Sequence, residues 1–553
     1  MRSNRCALIA VVLALALAGG QALARRGRPR RLPAASDWSL KIQHRNPTYR
    51  QLKSIARPHG VVTESGALAF TTKIKRRWPV RSLQDGQITA ADRKALGRAM
   101  KSIEGQKLVE TYGKLGQGKD ARLVRLVVPE KYAQIGVLSD ILFPRVTKGE
   151  RAKRQWAKKP GFTTVFVPDY GRTPRVLVDS AKRVAYVLGS SYFGERKKSA
   201  LRMWWYEVKE STGAMPLHAS AMTVKLRNGD GKLTEHRSVV LGHSGTGKST
   251  LSTSAEGLAP GRGERVIAHQ DDAGALVPTR GGKGWRFVGT EHGMFLKTDG
   301  VTARSDPGAW EGMTSRKGRT AFENVVVKGK KADFLDTSIT KNGRASVDRK
   351  QISMSKGQPL NMGKPDSIVM ISRHELLPAI ARVPAARPEK GAYAYALGES
   401  VKTSAAGGTG QTIRETGFSS FVTGPPAKEA NRMLSFLKQQ GGKRRGTRAY
   451  IMNTGSVLTA DGPTKVAKTD SLRLLRAMQR NEIKWQLDPT LGLEVPVEVK
   501  GMSKADLARI TVGRGMAQSE LQSRMSQVRQ DRISHLKTKV PGLDPSIIDR
   551  GAY

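Results

Sequence analysis

The chain has 553 residues, enough to bury large cores and to divide into two domains. It carries 96 Lys and Arg against 46 Asp and Glu, a formal charge of +50, so a polyanionic neighbour or an unusual medium is expected alongside any small anionic ligand. With 6% aromatics and no zinc, RNA-recognition or helix-turn-helix signature, nothing favours sequence-specific nucleic-acid binding.

Arg2 and Arg5 precede an apolar run over residues 7–18, and Ala22, Leu23 and Ala24 form a small-residue cleavage pattern before Arg25. That reads as a secretory signal, too short for a membrane span, and implies export to the periplasm or outside the cell. The only cysteine, Cys6, lies inside it, so the mature chain can form no disulfide. No other run approaches about 18 apolar residues, which argues against further spans. Residues 25–36 are a basic, proline-containing lead expected to stay loose. From 37 to 212, short β-branched runs at 123–128 and 163–167 alternate with helical stretches such as 90–104.

The most informative stretch follows at 239–251, VVLGHSGTGKSTL, where an apolar strand over 238–241 runs into a glycine-rich loop and a probable helix face beginning at Leu251. Gly242, Gly245 and Gly247 let the backbone turn tightly and aim N–H groups at phosphate oxygens. Lys248 would reach the terminal phosphates, and the Ser249 hydroxyl would join a magnesium shell. About two dozen residues later VIAHQDDAGAL ends a second apolar strand in Asp271 and Asp272, carboxylates suited to holding that metal. Beyond 501, Leu521, Met525, Val528 and Leu536 recur at helical spacing and predict a helix packed on the body.

These motifs are similar to those of the ATP-dependent phosphoenolpyruvate carboxykinases. The likeness extends to YFGERKK at 192–198, LHASA at 217–221, residues 46–49, GVVTESGALA at 60–69, Arg77 with Pro79, residues 291–297, Asp306 with Pro307, 342–344 and 452–455. It implies a two-domain α/β fold: an N-terminal mixed α/β domain over 37–212, a nucleotide-binding domain over 213–500, a basic helical tail over 501–553, and the active site in the cleft between the domains. It also implies that ATP phosphorylates the enolate formed when oxaloacetate loses carbon dioxide, in a reversible reaction carried out by a monomer. By this resemblance Lys198, His218 and Asp272 ligate manganese, while Arg77 and Tyr192 contact the oxaloacetate or carbon dioxide end. Lys197 bridges substrate and phosphoryl group. Ser244, Lys248, Ser249, Thr250, Asp271, Lys297 and Arg344 take phosphate and magnesium positions within or beside the loop that includes Gly245, Thr246 and Gly247. Asp306, Lys465 and Ser471 take nucleotide-side positions.

Several residues depart from the family pattern. Trp78 stands where a small hydroxyl residue is usual, Met222 replaces an asparagine, and the segment after Asp272 lacks an acidic, histidine-containing continuation. Lys465 replaces an arginine and cannot reproduce its planar fork. An insertion lies around 256–264. A kinase with another acceptor, or an inactive polyanion-binding descendant, is therefore the alternative. Export and ATP chemistry also pull apart, since a cytoplasmic or organellar address would suit the chemistry better.

Overall fold

The computed structural model describes residues 31–72, 80–151, 161–171, 173–279, 281–282, 284–401, 410–419, 422–443 and 445–553. The leader at 1–24, with Cys6, lies outside the described residues, as do Arg77 and Trp78.

Two large sheets carry the chain. The first has seven strands in the order Ile42–Arg45, Leu108–Leu115, Arg122–Pro129, Phe162–Val167, Val184–Leu188, Arg175–Asp179, Val80–Ser82. Successive side chains on a strand point to opposite faces. Ala185 and Val187 therefore join one core with the helices Gln134–Leu142 and Phe193–Thr212, while Val184, Tyr186 and Leu188 join another with the helix Ala90–Ser102. The second sheet has eight strands in the order Arg265–Gln270, Ala219–Arg227, Leu233–Leu241, Ser367–Ser372, Arg448–Asn453, Ile380–Arg382, Glu494–Val499, Ile483–Leu487. Its central strands are parallel and apolar on both faces. Val239 and Leu241 pack toward the helices Pro388–Leu397 and Pro426–Gln440, and Val240 toward Leu251 and the helix Lys468–Arg480.

Two expectations of organisation change. Residues 31–36 of the lead are not loose: Leu32 is fully buried, its N–H bonds Asp179, and Tyr186 OH donates to Pro33 O. A boundary at 212/213 is crossed by strand pairing, because Leu68–Phe70 lies parallel to Ala321–Glu323 in a separate five-stranded sheet. The tail packs on the body, the arrangement that its helical spacing predicts. In its helix Gln518–Lys539, Leu521, Met525 and Val528 are half-buried and Leu536 is fully buried, and the terminal Ala552 and Tyr553 enter the same core. No helix among the described residues is long and apolar enough to cross a membrane.

Candidate active site

Strand register alone brings the motifs together. Ala219 pairs with Leu241 and Ala221 with Gln270, so the antiparallel strand Ala219–Arg227 starts at the edge where its two neighbours end. His218, just before that strand, Gly242, just after one neighbour, and Asp271, just after the other, therefore share one sheet edge.

The phosphate loop owes its shape to its glycines. Gly245 (φ 82°) and Gly247 (φ 109°) lie in the left-handed region that side chains disfavour. At Gly242 a Cβ would come within 2.6 Å of Thr246 Oγ1, the hydroxyl that donates to His243 O. Lys248 opens the helix Lys248–Thr253 and is buried, which holds its ammonium below the ordinary lysine value. Its Nζ turns toward the loop, donating to Gly242 O at 2.7 Å and reaching His218 Nε2 at 3.3 Å. Ser249 hydrogen-bonds the Asp271 carboxylate, whose pKa is raised by burial and by Asp272. Ser244 is exposed on the loop, and Thr250 is half-buried in the helix.

At the heart of the edge, Asp272 takes Lys197 Nζ on Oδ2 at 2.7 Å and faces His218 Nε2 with Oδ1 at 2.9 Å. Burial alone would raise Asp272, but the ammonium groups of Lys197 and Lys248 hold it well below the usual carboxylate range. His218 Nδ1 lies 2.8 Å from Phe418 O, which can only accept, so Nδ1 carries a proton; burial and the Lys248 charge lower the ring's pKa and favour its neutral form, which leaves the lone pair on Nε2. A lone pair and a carboxylate oxygen 2.9 Å apart fit a shared cation. The Asp271 Oδ1 atom, buried without a partner beside Ser249, fits a second one. Among the described residues no three His, Cys, Asp or Glu side chains cluster as a metal site.

The structure directs a different lysine at that pair from the one the resemblance implies. Neighbouring helix residues lie about 100° apart, so Lys197 and Lys198 cannot both face Asp272. Lys197 does so, 5% exposed, with Glu291 Oε1 at 3.1 Å on its other side. Lys198 is 37% exposed and pairs one turn back with Glu195 at 3.2 Å.

Around this centre, Tyr192 caps the helix Phe193–Thr212, and its ring explains the glycine two residues on, where a Cβ would overlap it. Tyr192 hydrogen-bonds Asn342, which also accepts from Arg344 at 2.8 Å, and the Arg344 guanidinium lies 5.5 Å from the Phe295 ring centroid. Lys297 sits opposite Arg344 in register and pairs with Asp299 at 3.2 Å. Three nucleotide-side residues have structural partners instead. Asp306 is the N-cap of the helix Pro307–Thr314; Lys465 is exposed at a strand end, its carbonyl accepting from Arg509; Ser471 is buried and bonded to Ala467 O of its own helix. Met222 is buried in the core near Leu251 and Val266, away from the site edge. The insertion is organised by Glu264, which accepts from Arg227 N, Ala259 N and Arg480.

Sequence reasoning passed over Glu291, raised by burial to about 7 against the pull of Lys197, and Glu323. The Glu323 carboxyl, fully buried, accepts from Phe193 N at 2.8 Å and is pushed up to about 8 by burial. It also missed Arg373, which reaches the phosphate loop through Thr454: Arg373 Nε donates to Thr454 Oγ1, and Oγ1 donates to Thr246 O. Only Arg373 carried a local signal, an arginine directly after an apolar parallel strand.

The family model for phosphoenolpyruvate carboxykinase matches residues 42–505. A phosphoenolpyruvate carboxykinase (ATP) of Aeropyrum pernix is 30% identical over 395 residues, covering 70% of this chain and 73% of that one. Those of Brucella melitensis biotype 1 and Paracoccus denitrificans are each 27% identical, over 372 and 365 residues. The match spans 62% of each of those two relatives.

Proposed function

The chain belongs to the ATP-dependent phosphoenolpyruvate carboxykinase family, and we propose from that premise that it interconverts oxaloacetate plus ATP with phosphoenolpyruvate, carbon dioxide and ADP. The observation that carries this reading is the meeting, at one sheet edge, of a phosphate loop, a paired aspartate and a histidine, with a buried lysine reaching in from the helix of the other sheet. A kinase alone needs the loop and a magnesium carboxylate; the His218–Asp272–Lys197 group is the extra equipment that a dicarboxylate and its enolate require.

The residues divide the work. Backbone N–H groups of the loop and Lys248 hold the phosphates, Lys248 exchanging its grip on Gly242 O for phosphate oxygens. Ser249 and Asp271 are suited to nucleotide-bound magnesium. His218 and Asp272 are suited to manganese, with Lys198 assigned as its lysine ligand by resemblance, and the metal when bound would supply Lewis-acid stabilisation of enolate charge. Lys197 keeps its proton, because Asp272 and Glu291 outweigh its burial, and so offers a fixed positive charge between acceptor and phosphoryl group. Tyr192 lines the acceptor side, with Arg77 assigned there by resemblance, and Asn342 links Tyr192 to Arg344, which the resemblance places toward the phosphates. In the forward direction the bond to the departing carboxylate breaks and its electrons form the enolate. The enolate oxygen then bonds the γ-phosphorus as the bond to ADP breaks. Water must be kept out, since a protonated enolate ends as pyruvate.

The test is product formation by residues 25–553 given oxaloacetate, ATP, magnesium and manganese, beside His218→Ala. Phosphoenolpyruvate from the parent and none from the variant is expected; no product from the parent overturns the reading. We also propose that residues 1–24 are removed during export. N-terminal sequencing of protein from its native cell is expected to begin at Arg25, and a start at Met1 would refute this. The excess of positive charge supports non-specific polyanion contact, read as salt-dependent retention on an anionic resin.

A further inference from the structure

The family match ends at residue 505, yet the helix Gln518–Lys539 reaches back toward the site. Its Arg532, 3% exposed, donates from Nε to Glu399 Oε1 at 2.9 Å and from an Nη to the Tyr553 carbonyl at 3.1 Å. The other Glu399 oxygen accepts from Arg414 Nε at 2.7 Å, and Arg414 also reaches Asp531, the neighbour of Arg532, at 2.6 Å. Glu399 and Arg414 are register partners at the base of the hairpin Glu399–Val401 with Thr412–Arg414. One helical turn therefore grips both legs of this hairpin.

The backbone just outside each leg touches the site. Gly398 O lies 2.7 Å from His243 Nε2, within the phosphate loop, and the Glu415 carboxylate lies 3.6 Å from His243 Nδ1. Three residues after Glu415, Phe418 O is the acceptor that fixes the His218 ring. Phe418 has φ 59° and Gly417 φ 68°. A bulky residue in the left-handed region persists only where its surroundings over-determine it. The surroundings here are close: a Cβ on Gly398 would overlap Glu415 O, and one on Gly417 would come 2.7 Å from Tyr395 OH.

We infer that Arg532 is a positioning residue for the carboxykinase site. By clamping Glu399 and Arg414 it holds the strained turn at 415–418, and so sets both the direction in which His218 presents Nε2 and the seat of His243 against the phosphate loop. A brace that served stability alone would leave ligand affinity unchanged in folded protein. A positioning brace alters it.

The inference rests on the proposed function for its catalytic consequence but is read independently by binding. Manganese affinity, by electron paramagnetic resonance of the free ion, and affinity for a fluorescent ATP analogue are measured on the mature chain at a temperature where circular dichroism shows each variant folded. Arg532→Gln is expected to weaken manganese about tenfold, as loss of groups that orient a ligand does, and to lower kcat with little change in KM for oxaloacetate. Arg532→Lys recovers part of this. Asp531→Asn, whose carboxylate is mostly exposed, folds normally and shifts the same quantities a few-fold. Leu536→Ala, one turn along the same helix, lowers Tm and moves neither affinity. Affinities within twofold of the parent in Arg532→Gln, or in Asp531→Asn should the former not fold, overturn the inference. If the parent makes no phosphoenolpyruvate while the affinities shift as stated, the functional reading fails and the clamp stands.

Discussion

Two buried clusters of charge serve the same half of the molecule and are built on opposite terms. Around Asp272, polar valences are left over. Asp271 Oδ1 has no partner, Glu291 Oε1 meets Lys197 without an aligned hydrogen bond, and the adjacent aspartates shift in opposite directions. Around Glu399, both carboxylate oxygens are taken by guanidinium groups, and against its burial Arg532 and Arg414 hold the carboxyl down at about 2. The compositions are alike, but the Glu399 carboxylate has both oxygens paired, whereas Asp271 keeps one oxygen without a partner. At the site edge the unpaired oxygen lies beside the phosphate loop, where a cation could use it.

The sharpest way to break that contrast is Lys248→Met. It removes a buried ammonium whose own interactions are makeshift, so turnover is expected to fall about 10³-fold while Tm holds or rises. Single-turnover phosphoryl transfer and a thermal scan check this; loss of both together would make the site cluster structural. Glu399→Gln should do the reverse in stability, costing about 3–5 kcal/mol by urea unfolding because it strands two buried guanidinium groups. A cost below about 1 kcal/mol would remove the distinction. The third test concerns Glu323, which belongs to neither cluster. Its folded pKa of about 8 lies above its unfolded value of about 4.3, so between those values the folded state holds the extra proton and stability falls as pH rises. That slope, at most about 1.4 kcal/mol per pH unit, should vanish in Glu323→Gln when unfolding is compared across pH 5 to 8. A parent and variant that run parallel would show that Glu323 is ionised throughout.

What the sequence disclosed follows the range of the forces involved. The strand, loop and lysine at 238–249 and the aspartates ending 265–270 are contiguous, and a local pattern suffices for them. Their meeting with His218 needed only the strand register. The choice between Lys197 and Lys198 depends on the rotation of a helix relative to a different sheet, which adjacent identical residues cannot reveal. Glu291 and Glu323 look like ordinary acids until burial raises them. Asp306 illustrates the converse, a carboxylate in the right order along the chain that its own helix has claimed as a cap. Pro33, in a basic lead, gave no hint that the residue before it fills a core.

The strand Leu68–Phe70 has a consequence in time. Its partner Ala321–Glu323 and the Asn324 side chain that receives Thr72 N lie some 252 residues later. At ribosomal speeds of about 5–20 residues per second, the N-terminal strand waits roughly 12–50 seconds for its neighbour to be made. The seven-stranded sheet, whose strands all lie within 42–188, is complete well before then, so closing the five-stranded sheet is a late step in assembling the chain.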